Sequence, residues 1–154
     1  MTWQPHVTVA AVLERDHRFL MVEEDCEGAI VINQPAGHLE QNETLIEAVI
    51  RETLEETAWH IHPTDIIGIY QWTGGNDGHT FIRIGFTGEC IRHDPSRKLD
   101  HGILRALWLT RDELEVQARR LRSPMVMQCV NDYLAGQRYS LDILNEISRN
   151  GRSP

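Results

Sequence analysis

Apolar residues recur along this chain in short alternating runs and in longer runs spaced three and four apart, the signatures of strand and helix respectively. His6 to Leu13 is rich in Val and Ala with β-branched Thr8, and the apolar pattern resumes from Phe19 to Val22 after the charged Glu14, Arg15, Asp16 and His17. That order predicts a hairpin. Ala29 to Ile32 predicts a third short strand, stopped at Asn33 and Gln34 before Pro35, whose ring removes a ladder donor. Pro35, Ala36 and Gly37 lead into a helical stretch that runs through Leu45, Ile46, Val49 and Ile50.

Beyond the helix, Pro63 and Asp65 open a segment whose Ile66, Ile67, Ile69 and Tyr70 predict a strand reaching Trp72. The glycine-rich run Thr73 to His79 is turn chemistry, and Phe81 to Thr87 alternates well, so these two strands are expected to pair. Arg92 to Gly102 reads as a long polar loop and Arg105 to Leu109 as a last strand. Thr110 followed by Glu113 has the capping-box pattern for a short helix through Arg119. A final helix is predicted from Ser123 or Pro124 to Leu134, with Gly136 just past its end. Strands mixed with one early helix and two late ones predict an α/β or α+β sandwich in which helices cover a mixed sheet.

Length and charge narrow the classes. A chain of 154 residues fits one domain, taken here as 1–147, with Ser148–Pro154 as a loose tail lacking core residues. A formal net charge of −8 argues against gripping polymeric nucleic acid, although a small anion can bind where local cations or a metal offset the repulsion. Cys26, Cys90 and Cys129 are scattered, odd in number and without a Cys-x-x-Cys, which reads as reduced thiols acting as small hydrophobes. The N-terminus lacks a basic leader and its apolar run is short, so neither a signal peptide nor a membrane span is expected; the cytoplasm is the predicted compartment.

The helical stretch changes the picture most. At about 100° per residue, setting Glu52 at zero puts Glu56 near 40° and Glu55 near −60°, so three carboxylates share an arc of about 100° beside the apolar side. Arg51 lies on the far flank of that arc, where it can pair with Glu47 or Glu55. A solvated, salt-bridged face is the plain reading of a Glu-rich helix. Here the acids far outnumber the single cation, repel one another a turn apart, and oppose the helix dipole late in the helix. Hard oxygen ligands for a magnesium-type ion explain the arrangement better.

Gly37, Glu43, Arg51, Glu52, Glu55, Glu56 and Trp59 fall in register with G-x5-E-x7-R-E-U-x-E-E-x-G-U, where U is apolar. The segment resembles the signature of the Nudix hydrolases. Thr53 stands where that pattern has an apolar residue, and Ala58 where it has a glycine able to end the helix at positive φ. Asn33 to Glu40 (NQPAGHLE), Tyr70 to Trp72 (YQW), Leu121 to Pro124 (LRSP) and Gly136 to Tyr139 (GQRY) extend the likeness to the NudJ-type branch of bacterial Nudix phosphatases, from about His6 to Leu141.

The resemblance implies a Nudix α/β/α sandwich and a cytoplasmic hydrolase of nucleoside tri- and diphosphates, or of the hydroxymethylpyrimidine pyrophosphate of thiamine synthesis. It implies Mg2+, with Mn2+ as an alternative ion. Glu55 and Glu56 with the Gly37 carbonyl are the expected metal ligands. Glu52 is expected as a further ligand or as the base that takes a proton from the attacking water, with Arg51 orienting it. Glu43 is expected as a structural partner near the helix start. For substrate contact the candidates are Gln34, Trp72, Arg83 and Arg122, with Trp72 stacking on a pyrimidine.

Weaker candidates are Asn33 for substrate, His38 beside the proposed metal loop, Asp94 or Asp100 as an extra ligand, and His60 with His62 as a zinc pair. The expected partner is a small phosphoanhydride, and the expected unit a monomer, with a homodimer as the alternative. Two other readings stay open: a binding module that senses a nucleotide without turning it over, and an enzyme of the same fold that releases pyrophosphate or acts on sugar nucleotides.

Overall fold

The computed structural model describes residues 2–147, so the predicted tail at 148–154 lies outside the described residues. Among the described residues nine strands occur in order with three α-helices. The strands are β1 (His6–Val12), β2 (Glu14–Arg15), β3 (Arg18–Cys26), β4 (Ala29–Asn33), β5 (Ala36–His38), β6 (Trp59–Gly74), β7 (His79–His93), β8 (Ile103–Thr110) and β9 (Tyr139–Ser140). Helix α1 (Leu45–Thr57) follows β5, while α2 (Arg111–Val116) and α3 (Pro124–Leu134) follow β8, with a short 3-10 turn at Ala118–Arg120 between them.

The mixed α+β architecture is the one expected, with its strands divided between two sheets. The larger has five strands in the order β5-β1-β7-β6-β9 and is mixed, because β1 runs parallel to β7 and every other pair is antiparallel. The smaller, antiparallel sheet joins β3 to β2, β4 and β8. Alternation along the strands explains the layering: Val9, Ala11, Ile66, Ile84 and Phe86 pack with Ala48 and Val49 of α1, whereas Val12 and Ile67 pack with Val126, Cys129 and Val130 of α3. The larger sheet is thus covered on both faces.

The predicted hairpin is where pattern and structure part. Only its tip exists, with Glu14 opposite Phe19 and Arg15 opposite Arg18, closed by Asp16 and His17 at φ 50° and 63°. That two-residue turn has the backbone hand that suits a hairpin. The body of β1 instead enters the larger sheet between β5 and β7, and its residues Val9 to Val12 are at most 1% exposed. A strand buried on both faces belongs in a sheet interior, and periodicity alone does not tell which strand lies beside it.

β6 also begins earlier than predicted, directly after α1, and passes through Pro63 with register shifts on either side of Asp65. The β6–β7 pairing, by contrast, is the expected one, with Thr73 opposite Thr80 and Gly74 opposite His79 across the glycine-rich turn. Both late helices form. Thr110 and Glu113 make a reciprocal capping box, but α2 ends at Val116 and only the 3-10 turn reaches Arg120. Ser123 caps α3, with Pro124 at its first position. No helix among the described residues is long and apolar enough to cross a membrane.

Candidate active site

Helix α1 is fixed at both ends before its carboxylates do anything. Thr44 Oγ1 accepts the Glu47 N–H at 3.1 Å, and Glu47 Oε1 accepts the Thr44 N–H at 3.1 Å, a capping box that uses Glu47 structurally. Glu47 is therefore not Arg51's partner. At the other end Ala58 adopts φ 63°, ψ 16°, the left-handed turn that the sequence pattern assigns to glycine. That conformation costs an alanine about 1–2 kcal/mol. The Ala58 methyl is buried, which returns about 0.8 kcal/mol. The loop after β7 also caps the exposed carbonyls: Asp94 N–H donates to Ala58 O and Asp100 N–H to Glu55 O, each at 2.9 Å.

Thr53 departs from the apolar pattern without leaving a polar group stranded. It is fully buried, and its hydroxyl donates to Val49 O at 2.7 Å, one turn back.

The carboxylates sit where the helix meets β5. Glu56 is 7% exposed, and its Oε1 accepts the Ala36 N–H at 2.9 Å. No cation pairs with it among the described residues, and burial, with Glu52, Glu24 and Asp100 nearby, pushes its pKa up to about 9. Glu52 is also buried; desolvation raises its pKa despite the Arg51 guanidinium at 2.8 Å, with Glu55 and Asp100 adding to the rise. Gly37 lies against it so tightly that a Cβ there would fall 2.1 Å from the Glu52 carboxyl carbon. A side chain at that place would require the Glu52 carboxylate to move.

Arg51 is the clamp. It grips Glu43 through Nε at 2.9 Å and Nη2 at 2.7 Å, reaches Glu52 and Glu55 through Nη1 at 2.8 and 3.3 Å, and donates to His38 O at 3.1 Å. The paired guanidinium holds the Glu43 carboxyl below the usual range, against burial. Glu43 thus lies against Arg51 beside the start of α1.

The donor set consists of hard oxygens, and an uncompensated buried carboxylate facing further acids calls for a cation. Among the described residues no three His, Cys, Asp or Glu side chains converge on one point. Arg51 holds Glu52 through Oε1 and Glu55 through Oε2, which leaves each carboxylate its other oxygen for an ion. On donor chemistry and burial the site fits a divalent ion. It also gives a pH prediction. A folded-state value near 9 against the ordinary 4.5 means that native Glu56 keeps a proton which the unfolded chain has released. Its contribution to stability is then complete below about pH 4.5 and is lost as pH rises toward about 9. Melting in EDTA should show a steeper fall in Tm with pH for wild type than for Glu56→Gln, and added Mg2+ should raise only the wild-type Tm at alkaline pH.

The remaining candidates scatter. Gln34 is 1% exposed and Arg83 4%; Arg83 donates to Gln34 Oε1 at 2.8 Å and to Asn33 Oδ1 at 3.1 Å, while Gln34 Nε2 donates to Val126 O at 2.8 Å. As folded, Gln34 and Arg83 tie β4, β7 and α3 together and offer a ligand almost no surface. Arg122 is exposed beside Glu24 at 3.4 Å. Trp72 is half-buried on β6.

His60 takes a hydrogen bond with Arg92 at 3.1 Å, and no metal cluster forms around it or His62 among the described residues. Asp94 serves its own turn, bonding Ser96. Asp100 faces the Glu52 and Glu56 basin electrostatically, and so does Glu24 toward Glu56, a residue that strand periodicity gives no reason to single out.

Residues 4–128 match the model of the NUDIX domain. Phosphatase NudJ of Escherichia coli K12 is 40% identical over 146 residues, covering 95% of this chain and 94% of that protein. A Nudix hydrolase structure from Nitrosomonas europaea is 51% identical with a TM-score of 0.91, covering 93% of this chain and 97% of that one. A MutT Nudix hydrolase from Burkholderia pseudomallei, at 19% identity and a TM-score of 0.71 over 84% of this chain and 98% of that one, shares the fold.

Proposed function

The chain belongs to the Nudix family, as a hydrolase of phosphoanhydrides related to the phosphatase NudJ, and from that premise we propose that it is a Mg2+-dependent phosphatase. Its proposed substrates are nucleoside di- and triphosphates or hydroxymethylpyrimidine pyrophosphate. The observation that carries the reading is the buried Glu56 carboxylate, unpaired by any cation among the described residues, beside Glu52 and the side-chain-free Gly37.

In this reading Glu52, Glu55, Glu56 and the Gly37 carbonyl would hold Mg2+, or Mn2+ in its place. When bound, such an ion offsets charge on phosphate oxygens and acidifies nearby water. Glu52 accepts the proton of the attacking water, and burial favours this by making the carboxylate more basic than an exposed one. Arg51, fixed by Glu43, sets the Glu52 rotamer, so that the base does not have to find its position during the reaction. Asp100 and Glu24 add negative potential around the same basin, which strengthens the hold on a cation. The proposed setting is the cytoplasm, where the three free cysteines stay reduced, and the proposed working unit is a monomer.

The test compares orthophosphate with pyrophosphate release from nucleoside triphosphates, nucleoside diphosphates and hydroxymethylpyrimidine pyrophosphate, with Mg2+ and with EDTA. Orthophosphate release that requires Mg2+ is the expected result. Tight nucleotide binding without Mg2+-dependent turnover would show a sensing module instead, and pyrophosphate as the product of a triphosphate would move the enzyme to the pyrophosphohydrolases.

A further inference from the structure

The loop after β7, residues 94–102, is tied down where α1 ends. Asp94 N–H donates to Ala58 O and Asp100 N–H to Glu55 O, each at 2.9 Å. Between these anchors the loop has a defined course: the Asp94 carboxylate accepts from the Ser96 hydroxyl at 2.7 Å, the Asp94 carbonyl accepts the Arg97 N–H at 3.1 Å, and Leu99 is half-buried. Past Asp100, Gly102 O accepts the Asp25 N–H at 2.9 Å, which fastens the loop to β3 as well.

Loop and helix together frame an open cleft of about 320 Å³, lined by Glu55 of α1 and by Arg97, Lys98, Leu99, Asp100 and His101 of the loop. Glu55 is one of the α1 carboxylates proposed to hold the metal, so the cleft adjoins the reaction centre. The charge of Asp100 raises the pKa of both Glu52 and Glu56, which puts the loop within electrostatic reach of those two carboxylates also.

Charge is the difficulty that the cleft meets. The basin holds Glu24, Glu52, Glu55, Glu56 and Asp100 in a chain of net charge −8, and a phosphoanhydride brings further negative charge to it. Arg51 already gives its donors to Glu43, Glu52, Glu55 and the His38 carbonyl. Arg97 and Lys98 are placed differently. Both are exposed, and neither has a carboxylate within ion-pair distance among the described residues. They offer a guanidinium able to take two phosphate oxygens at once and, beside it, an ammonium point charge.

We propose that Arg97 and Lys98 grip the phosphate groups of the substrate in this cleft and thereby hold the anhydride against Glu55 and its neighbours. The inference rests on the hydrolase reading for the fate of the anhydride, and on the cleft alone for the binding of phosphate. Both side chains are binding and positioning groups, felt in KM ahead of kcat.

Lys98 is the only lysine in the chain, which gives a readout that needs no turnover. Reductive methylation with isotopically labelled formaldehyde marks Lys98 and the N-terminal amine for NMR and leaves both charges in place; the signal missing from Lys98→Arg is that of Lys98. Methylenediphosphonate with Mg2+, a probe with two phosphonates and no anhydride, should move the Lys98 signal saturably and leave the N-terminal one still. A Lys98 signal that does not move overturns the proposal.

Kinetics on a nucleoside diphosphate supply the second arm. KM should rise about fivefold in Arg97→Gln or Lys98→Gln and about tenfold or more in the double variant, with kcat nearly unchanged, the scale of exposed charge-assisted contacts. Lys98→Arg should keep a KM close to wild type, and added salt should narrow the gap between wild type and the double variant. Arg138→Gln removes the same charge from a side chain that lies over Tyr133, and should leave KM alone. An unchanged KM in the double variant, or an equal rise in Arg138→Gln, overturns the proposal and leaves the hydrolase reading intact. A wild type whose Lys98 signal moves but which hydrolyses no diphosphate would sink the hydrolase reading and leave phosphate binding in the cleft standing.

Discussion

Glutamine in place of Glu56 is expected to lower Mg2+-dependent turnover by about a thousandfold or more while the fold survives, the scale on which single groups stabilising a transition state are lost. The substitution keeps the shape of the side chain and an oxygen able to accept the Ala36 N–H, so the junction between α1 and β5 stays closed. What it removes is the negative charge. That charge is buried at 7% exposure with no compensating cation among the described residues, so its loss relieves the metal-free protein while depriving a divalent ion of its most enclosed donor. The expected pair of results is therefore opposite in sign: kcat collapses, and the melting temperature in EDTA at alkaline pH rises. A fold disrupted in Glu56→Gln, seen by circular dichroism, would assign the carboxylate to structure instead.

Alanine at Gly37 should cost about a hundredfold in kcat/KM with little change in stability. The added methyl would meet the Glu52 carboxyl carbon at 2.1 Å and its two oxygens at 2.2 and 2.4 Å, so the carboxylate has to leave its place. Displacing a reacting group by about 1 Å is enough to lose a factor of this size. The backbone itself tolerates the change, because Gly37 is not among the residues at positive φ, and the obstructing atoms are the end of a flexible side chain. Steady-state kinetics alongside thermal melts check it. Unchanged activity in Gly37→Ala would mean that Glu52 works from another position.

The helix was the most legible part of the chain. The shared arc of its carboxylates and its buried side follow from residue spacing, since a local period of 3.6 residues needs no knowledge of the rest of the fold; the clamp does so only in part, because spacing offers Arg51 Glu47 or Glu55 while its firmest grip is on Glu43, before the helix. The capping boxes at its start and at α2 are equally local, although the one at Thr44 hides among acids that read as metal ligands. Register over long distances was not legible. β1 and β7 are far apart in sequence and run parallel, and nothing in their alternation names them as neighbours.

The same blindness affected the substrate candidates. Gln34 and Arg83 look like polar hands from the sequence and turn out to hold each other inside the protein. Ala58 kept the left-handed turn because a loop some forty residues downstream supports the helix end, an interaction that the local pattern does not contain.

The central claim is that buried carboxylates on α1 make this chain a metal-dependent phosphoanhydride hydrolase. Orthophosphate release from a nucleoside diphosphate, measured against free Mg2+ for wild type and Glu56→Gln side by side, tests it most directly. A saturable rise from a baseline of zero in EDTA, present in wild type and absent in Glu56→Gln, is the predicted result. Equal release with and without Mg2+, or a Glu56→Gln curve that overlays the wild-type curve, would contradict it.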